Sequence, residues 1–152
     1  MKVDLAQRKV IESQSVPNPP VQLYLTPDET QVVSADQGTD DARGRTLSVI
    51  DTETMTTRGA VTVGAGPHGV VIDPSGHWAW VTNTYEDTVS TVDLSGLRLL
   101  ATTPVAARPN GISYSPRPPA PAAATVITLD IPASAPAGPD GREPARHGKH
   151  GH

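Results

Sequence analysis

Three polar side chains stand at positions where their chemistry suits contact with a ligand: His68, Asn83 and Asn110. An imidazole binds ligands or moves protons near neutral pH, and a carboxamide donates and accepts hydrogen bonds. His68 and Asn110 occupy the same place in two similar segments, each following a proline and preceding a glycine. No catalytic partner repeats with them, as a repeated reaction centre would require. We therefore predict no catalytic residue, and these three residues are the candidates for ligand contact. The alternative for His68 is a structural role in the repeat.

A second candidate site lies near the end of the sequence, where His147, His150 and His152 are separated by glycine and lysine. Imidazoles in a flexible tract of this kind can chelate a divalent metal ion. The alternative is a solvated tail that binds no metal. The sequence thus offers one candidate metal site, and we predict no cofactor.

The composition excludes several classes of protein. The 152 residues carry 12 Lys and Arg against 16 Asp and Glu, so bulk charge does not favour nucleic-acid binding. The absence of cysteine removes disulfides, thiol catalysis and Cys-type zinc sites. No phosphate loop, Gly-x-Ser-x-Gly elbow, His-Glu-x-x-His helix or nucleotide fingerprint occurs. No apolar run is long enough for a membrane span, and we find no export signal in the chain as given.

An internal repeat determines which elements position the candidate residues. Prolines seven residues apart occur three times, at positions 20 and 27, 67 and 74, and 109 and 116. An aspartate that follows an apolar residue stands 16 residues before the first proline of each pair, as Asp4, Asp51 and Asp93. The repeat is 47 residues long from Pro27 to Pro74 and 42 residues long from Pro74 to Pro116. We expect the five extra residues to lie in a solvated loop at 36–45, because this segment is rich in Gly and Asp.

Each repeat is predicted to hold four short strands, because its segments are β-branched and punctuated by turns. The strands of the two complete repeats are expected at 21–25, 31–35, 47–51 and 57–63, and then at 69–72, 78–82, 88–93 and 97–103. Two strands of an earlier unit are predicted near residue 3 and at 9–13, and further strands at 111–114 and 125–131. The Pro- and Ala-rich segment 132–152 is expected to be disordered.

The central repeat contains three motifs: Gly66-Pro67-His68-Gly69-Val70, Asp73-Pro74-Ser75-Gly76 and Trp80-Val81-Thr82-Asn83. With these motifs it resembles the YVTN-type β-propeller repeat family, with Trp80 in place of the tyrosine of the motif. It implies an all-β fold made of four-stranded antiparallel blades that form an incomplete ring in one chain. The partial propeller would span 1–131, with repeats near 20–66, 67–108 and 109–131, a split blade at 1–19 and a tail at 132–152. His68, Asn83 and Asn110 would then lie at the mouth of the central channel.

The predicted function is a non-catalytic propeller module that binds a protein or a small ligand, or acts as a scaffold. The alternative is a lactonase-like or haem-d1-type propeller enzyme with its ligand at the central channel. Members of the YVTN-type family look like periplasmic, secreted or cell-surface bacterial proteins. The resemblance therefore implies an extracytoplasmic location.

The predicted strands sum to three blades, whereas four to eight blades close a ring. We expect either a homodimer that completes a six-bladed ring or a fragment of a longer exported propeller.

Overall fold

The computed structural model describes residues 1–117, and all the regular structure in this part of the chain is β-strand. No helix that could cross a membrane occurs among these residues. The ten strands are β1 (Lys2–Asp4), β2 (Lys9–Glu12), β3 (Gln22–Leu25), β4 (Gln31–Gly38), β5 (Arg43–Asp51), β6 (Thr57–Thr62), β7 (Pro67–Ile72), β8 (Trp78–Asn83), β9 (Thr88–Asp93) and β10 (Arg98–Pro104).

The strands form two four-stranded antiparallel sheets in which neighbours along the chain are neighbours in the sheet. The first sheet has the order β3-β4-β5-β6, the second has the order β7-β8-β9-β10, and β1 pairs with β2 as a separate hairpin. The prediction of an all-β fold with four-stranded antiparallel blades is confirmed. Within residues 1–117 the two sheets and the hairpin form an incomplete set of blades.

The apolar core lies between the two sheets. Side chains alternate along each strand, so every sheet has two faces. The face of the first sheet that carries Val33, Leu47 and Val49 packs against the face of the second sheet that carries Val70 and Val81, and all five are 0% exposed. We call the face directed toward earlier residues of the chain the leading face, and the opposite one the trailing face. The trailing face of the first sheet therefore packs on the leading face of the second.

The turns between the third and fourth strands of each unit share one geometry. A carboxylate oxygen of Asp4, Asp51 or Asp93 accepts hydrogen bonds from backbone N–H groups two or three residues later. The residue four positions after each aspartate has a positive φ: 52° at Arg8, 52° at Met55 and 50° at Leu97. The hairpin therefore has the same turn as the two complete units.

The prediction of a solvated loop at 36–45 is wrong. Strand β4 continues to Gly38 and β5 begins at Arg43, so the extra residues lengthen a hairpin. The side chain of Asp36 is buried, and its carboxylate accepts hydrogen bonds from the hydroxyls of Ser34 and Ser48, each at 2.6 Å. The reason is that backbone pairing across the ladder satisfies more polar groups than an open loop would.

The expected strand at 111–114 is also absent from the described residues. This segment runs beside β7 without pairing, and the ring of Tyr114 stacks on Trp80 with 5.6 Å between centroids. β7 pairs only with β8, and segment 111–114 forms no backbone ladder with any other part of residues 1–117. The predicted strand at 125–131, most of the third repeat and the predicted disorder of 132–152 lie outside the described residues.

Candidate ligand-binding site

The first strands of the two sheets lie next to each other. The side-chain Oε1 of Gln22 on β3 accepts a hydrogen bond from the backbone N–H of Val70 on β7 at 3.2 Å, and its Nε2 donates to the Val70 carbonyl at 3.4 Å. Segment 109–114 lies beside β7, where the hydroxyl of Thr84 donates to the carbonyl of Pro109 at 2.8 Å. We call β3, β7 and segment 109–114 together the inner wall.

A groove of about 570 Å³ follows the inner wall near the ends of its three segments. The groove is lined by apolar and hydroxyl-bearing side chains: Tyr24, Leu25, Pro27, Val71, Ile72, Pro74, Ile112, Ser113 and Tyr114. The repeat explains this set, because six of these residues stand two or three positions before the prolines at 27, 74 and 116. Two adjacent positions in the repeat are thus used three times to build one groove.

Two tyrosines give the groove its aromatic character. Tyr24 is 38% exposed and Tyr114 is 40% exposed, so both rings present part of their surface to a ligand. The planes of Tyr114 and Trp80 differ by 21°, and this stacking holds the Tyr114 ring against the second sheet. Among the described residues, the lining contains no carboxylate, imidazole or amine. Its chemistry suits an apolar or aromatic ligand held by burial, with tyrosine hydroxyls available for hydrogen bonds.

His68 and Asn110 lie together at the other end of β7. The side chain of His68 is half-buried, and its Nδ1 has no hydrogen-bond partner among the described residues. Asn110 is exposed, and its backbone carbonyl lies 2.8 Å from where a Cβ on Gly69 would stand. His68 precedes Val71 by three strand positions, a distance of about 10 Å. The structure therefore places the backbone of Asn110 beside the residue that follows His68, away from the groove.

Asn83 does not have the exposed channel-mouth position expected for it. Its side chain is 0% exposed and its Nδ2 donates to the hydroxyls of Thr88 and Ser90, both at 2.9 Å. A Cβ on Gly64 would stand 2.5 Å from the Asn83 Cγ, so the connection between β6 and β7 covers this side chain closely. The cause is strand alternation, which places Asn83 on the leading face with Val81. A ligand role for Asn83 therefore stays a prediction that the geometry does not favour.

Asp36 is the repeat counterpart of Asn83, 47 residues earlier. Both side chains are 0% exposed, and each contacts a serine on the next strand, Ser48 or Ser90. Burial raises the pKa of the Asp36 carboxyl, while the hydrogen bonds from Ser34 and Ser48 act in the opposite direction. The two repeats thus place an acid and an amide at one structural position.

The metal prediction is not addressed by this part of the molecule. His147, His150 and His152 lie outside the described residues. Within residues 1–117, no three His, Cys, Asp or Glu side chains are grouped so that they could hold a metal ion.

The groove was missed by reasoning from the sequence, which searched for acid–base and metal-binding side chains. The available signal was the repeat itself. Tyr24 and Ser113 stand three residues before a repeat proline, and Leu25 and Tyr114 stand two residues before one. Apolar and aromatic residues at matched positions of successive first strands indicate a shared surface, even though each one looks ordinary within its own strand.

Comparison with known proteins identifies the fold. No protein-family model matches the chain, and no curated protein matches it. Among solved structures, hydrazine synthase from Kuenenia stuttgartiensis is 24% identical with a TM-score of 0.60, over 71% of this chain and 30% of that chain. The dihydro-heme d1 dehydrogenase NirN in complex with DHE is 18% identical with a TM-score of 0.57, over 68% and 21%. A functionally unknown protein from Desulfotomaculum acetoxidans is 16% identical with a TM-score of 0.59, over 74% and 37%.

The described chain has a β-propeller fold. Each four-stranded sheet is one blade, and the inner wall is the side of the blades that faces the propeller axis. The chain spans between 21% and 37% of the length of these three similar chains. At such identities the likeness extends to the fold, and function has to be argued from the site.

Proposed function

We propose that this chain is a YVTN-type propeller module that binds an apolar or aromatic ligand in the inner-wall groove and catalyses no reaction on it. The ligand is either a small molecule or an apolar side chain of a protein partner. The repeat motif around Trp80 and Asn83 supports the family assignment, and that family resemblance also supports an extracytoplasmic location.

The groove carries this proposal. Its volume of about 570 Å³ falls within the usual range of ligand pockets, roughly 300 to 1,000 Å³. Its aromatic side chains, Tyr24 and Tyr114, come from segments 90 residues apart in the chain and face a common space. Its lining offers no general base to activate the hydroxyl of Ser113. Binding without chemistry is therefore the activity that these side chains support.

Fluorescence titration with 8-anilinonaphthalene-1-sulfonate as the apolar probe tests the proposal. Removing either tyrosine ring, by Tyr24→Ala or Tyr114→Ala, should weaken binding about tenfold, because each ring contributes on the order of 1.5 kcal/mol of apolar contact. Leu5→Ala is the control, since Leu5 is 85% exposed and does not line the groove. Equal affinities for all four proteins would contradict the proposal.

A second candidate function uses His68. Its Nδ1 is buried without a partner among the described residues, and an imidazole nitrogen in that state is suited to hold a ligand or an iron atom. This observation favours the lactonase-like or haem-d1-type alternative, with Asn110 beside His68. Sugar-lactone hydrolysis or a haem absorption band, lost in His68→Ala but kept in the Tyr114→Ala variant, would establish this function instead.

A further inference from the structure

The contact between the two blades shows which kind of surface each blade face accepts. A trailing face packs on a leading face, and the side chains involved are fully buried: Val33, Leu47 and Val49 on one side, Val70 and Val81 on the other. Because the blades are repeats of one another, each has one further face outside this contact. These are the trailing face of the second blade and the leading face of the first blade.

The trailing face of the second blade is only partly covered. Trp80, Val89 and Thr91 are the counterparts of Val33, Leu47 and Val49 in the first blade, and all three are half-buried rather than buried. Trp78 lies on the same face and is 42% exposed. Segment 109–114 covers the inner part of this face through Tyr114, and the outer part remains open among the described residues.

The leading faces of the first blade and of the β1–β2 hairpin also carry exposed apolar side chains. We call these two faces together the leading side. Leu23 is 53% exposed and Leu25 is 41% exposed, whereas their counterparts Val70 and Ile72 are 0% and 4% exposed. On the β1–β2 hairpin, Val3 and Val10 face the same way and are 46% and 56% exposed. The counterpart of Val3 in the second blade is Val92, which is 0% exposed within the core. Leu23, Leu25 and Val3 are therefore exposed at positions that the second blade buries, and Val10 lies opposite Val3 in the hairpin.

We propose that a second copy of this chain binds here, head to tail, with the trailing face of its second blade on the leading side of the first copy. The internal blade-to-blade contact is the precedent for this interface, because both surfaces repeat its two halves. The hairpin supplies the two outer strands of a blade, and segment 109–114 supplies its inner edge. Two copies together therefore bring the inner segment and the two outer strands of one blade to each junction, and such contacts close into a ring or continue as a chain.

Light scattering after size exclusion tests the proposal with the full chain. The wild type should have at least twice the mass of one chain, 15.9 kDa. Trp78→Glu on the trailing face and Val3→Glu on the leading side should each weaken association about a hundredfold, because each buries an unpaired charge. Val10→Glu is a second leading-side variant, and near-UV circular dichroism checks that every variant is folded.

Mixing the two kinds of variant identifies the geometry. Trp78→Glu keeps an intact leading side and Val3→Glu keeps an intact trailing face, so an equimolar mixture should form a dimer although each alone is monomeric. Ala42→Glu, at the exposed β4–β5 hairpin tip, should keep the mass of the wild type. A wild type that is monomeric at every concentration, or association unchanged by both substitutions, would overturn the proposal. Further blades of the same polypeptide would then cover these faces.

Discussion

The side-chain amide of Gln22 pairs with both backbone groups of Val70, one accepting bond and one donating bond, as a neighbouring strand residue would. Val70 is 0% exposed and lies on β7, whose other edge pairs with β8. The amide therefore satisfies a buried strand edge at the point where the two blades meet. This contact joins β3 to β7 within the inner wall without any ligand, so the protein itself maintains the shape of the groove.

Removing this amide should destabilise the fold. Gln22→Ala leaves a buried N–H and a buried carbonyl of Val70 without their partners, which costs about 1 to 3 kcal/mol. Urea denaturation measures the change in the free energy of unfolding. The exposed Gln7→Ala serves as the control and should change it by less than about 0.5 kcal/mol. Equal effects of the two substitutions would show that the Gln22 contact contributes no stability.

The acid and the amide at one repeat position predict an effect that depends on pH. Because burial raises the pKa of Asp36 above its value in the unfolded chain, the folded protein loses stability as pH rises through that raised pKa. Asp36→Asn removes the titration and provides the group that the second blade already uses at Asn83. We therefore expect Asp36→Asn to be more stabilising at pH 7 than at pH 4.

The reciprocal substitution is the matched test of this explanation. Asn83→Asp places a carboxylate in the second blade, where the side chain is 0% exposed, and should destabilise the protein more at pH 7 than at pH 4. Thermal unfolding of both variants at the two pH values measures the differences. If each substitution changed the unfolding temperature by the same amount at both pH values, Asp36 would have an ordinary pKa in the folded protein.

The turns between the first two strands of each blade contain a second pair of residues at one repeat position. Glu29 has a φ of 60° and its counterpart Gly76 has a φ of 76°, a region that glycine adopts without steric cost. Glu29→Gly should stabilise the protein by about 1 kcal/mol, and Gly76→Ala should destabilise it by about the same amount. Differential scanning calorimetry should show Tm shifts of opposite sign. Shifts of the same sign would contradict the assigned turn geometry.

The repeat made most of the fold predictable from the sequence. Strand β9 has the predicted bounds, and β3, β6, β7, β8 and β10 lie within two residues of theirs, because proline and aspartate spacing locates the turns. Composition misled at 36–45, where the Gly and Asp content indicates a loop. In the structure, Gly38 pairs with Arg43, and Ser48 lies beside Asp36. Both contacts depend on a neighbouring strand that no local pattern reveals.

The candidate site was less predictable than the fold. The proximity of Asn110 to the His68 end of β7 follows from their matched repeat positions. The burial of Asn83 follows from strand alternation, which requires knowing which face each blade presents to its neighbour. The groove forms only when Tyr24, Val71 and Tyr114 meet across three segments, so its volume is a property of tertiary packing.

The proposed function requires that ligand binds the inner-wall groove and not the His68 end of β7. Titration of ¹⁵N-labelled protein with 8-anilinonaphthalene-1-sulfonate, followed by backbone amide chemical shifts, distinguishes the two sites. We predict shift changes concentrated at Tyr24, Val71 and Tyr114, which line the groove. Changes confined to His68 and Asn110, with the groove amides unmoved, would contradict it.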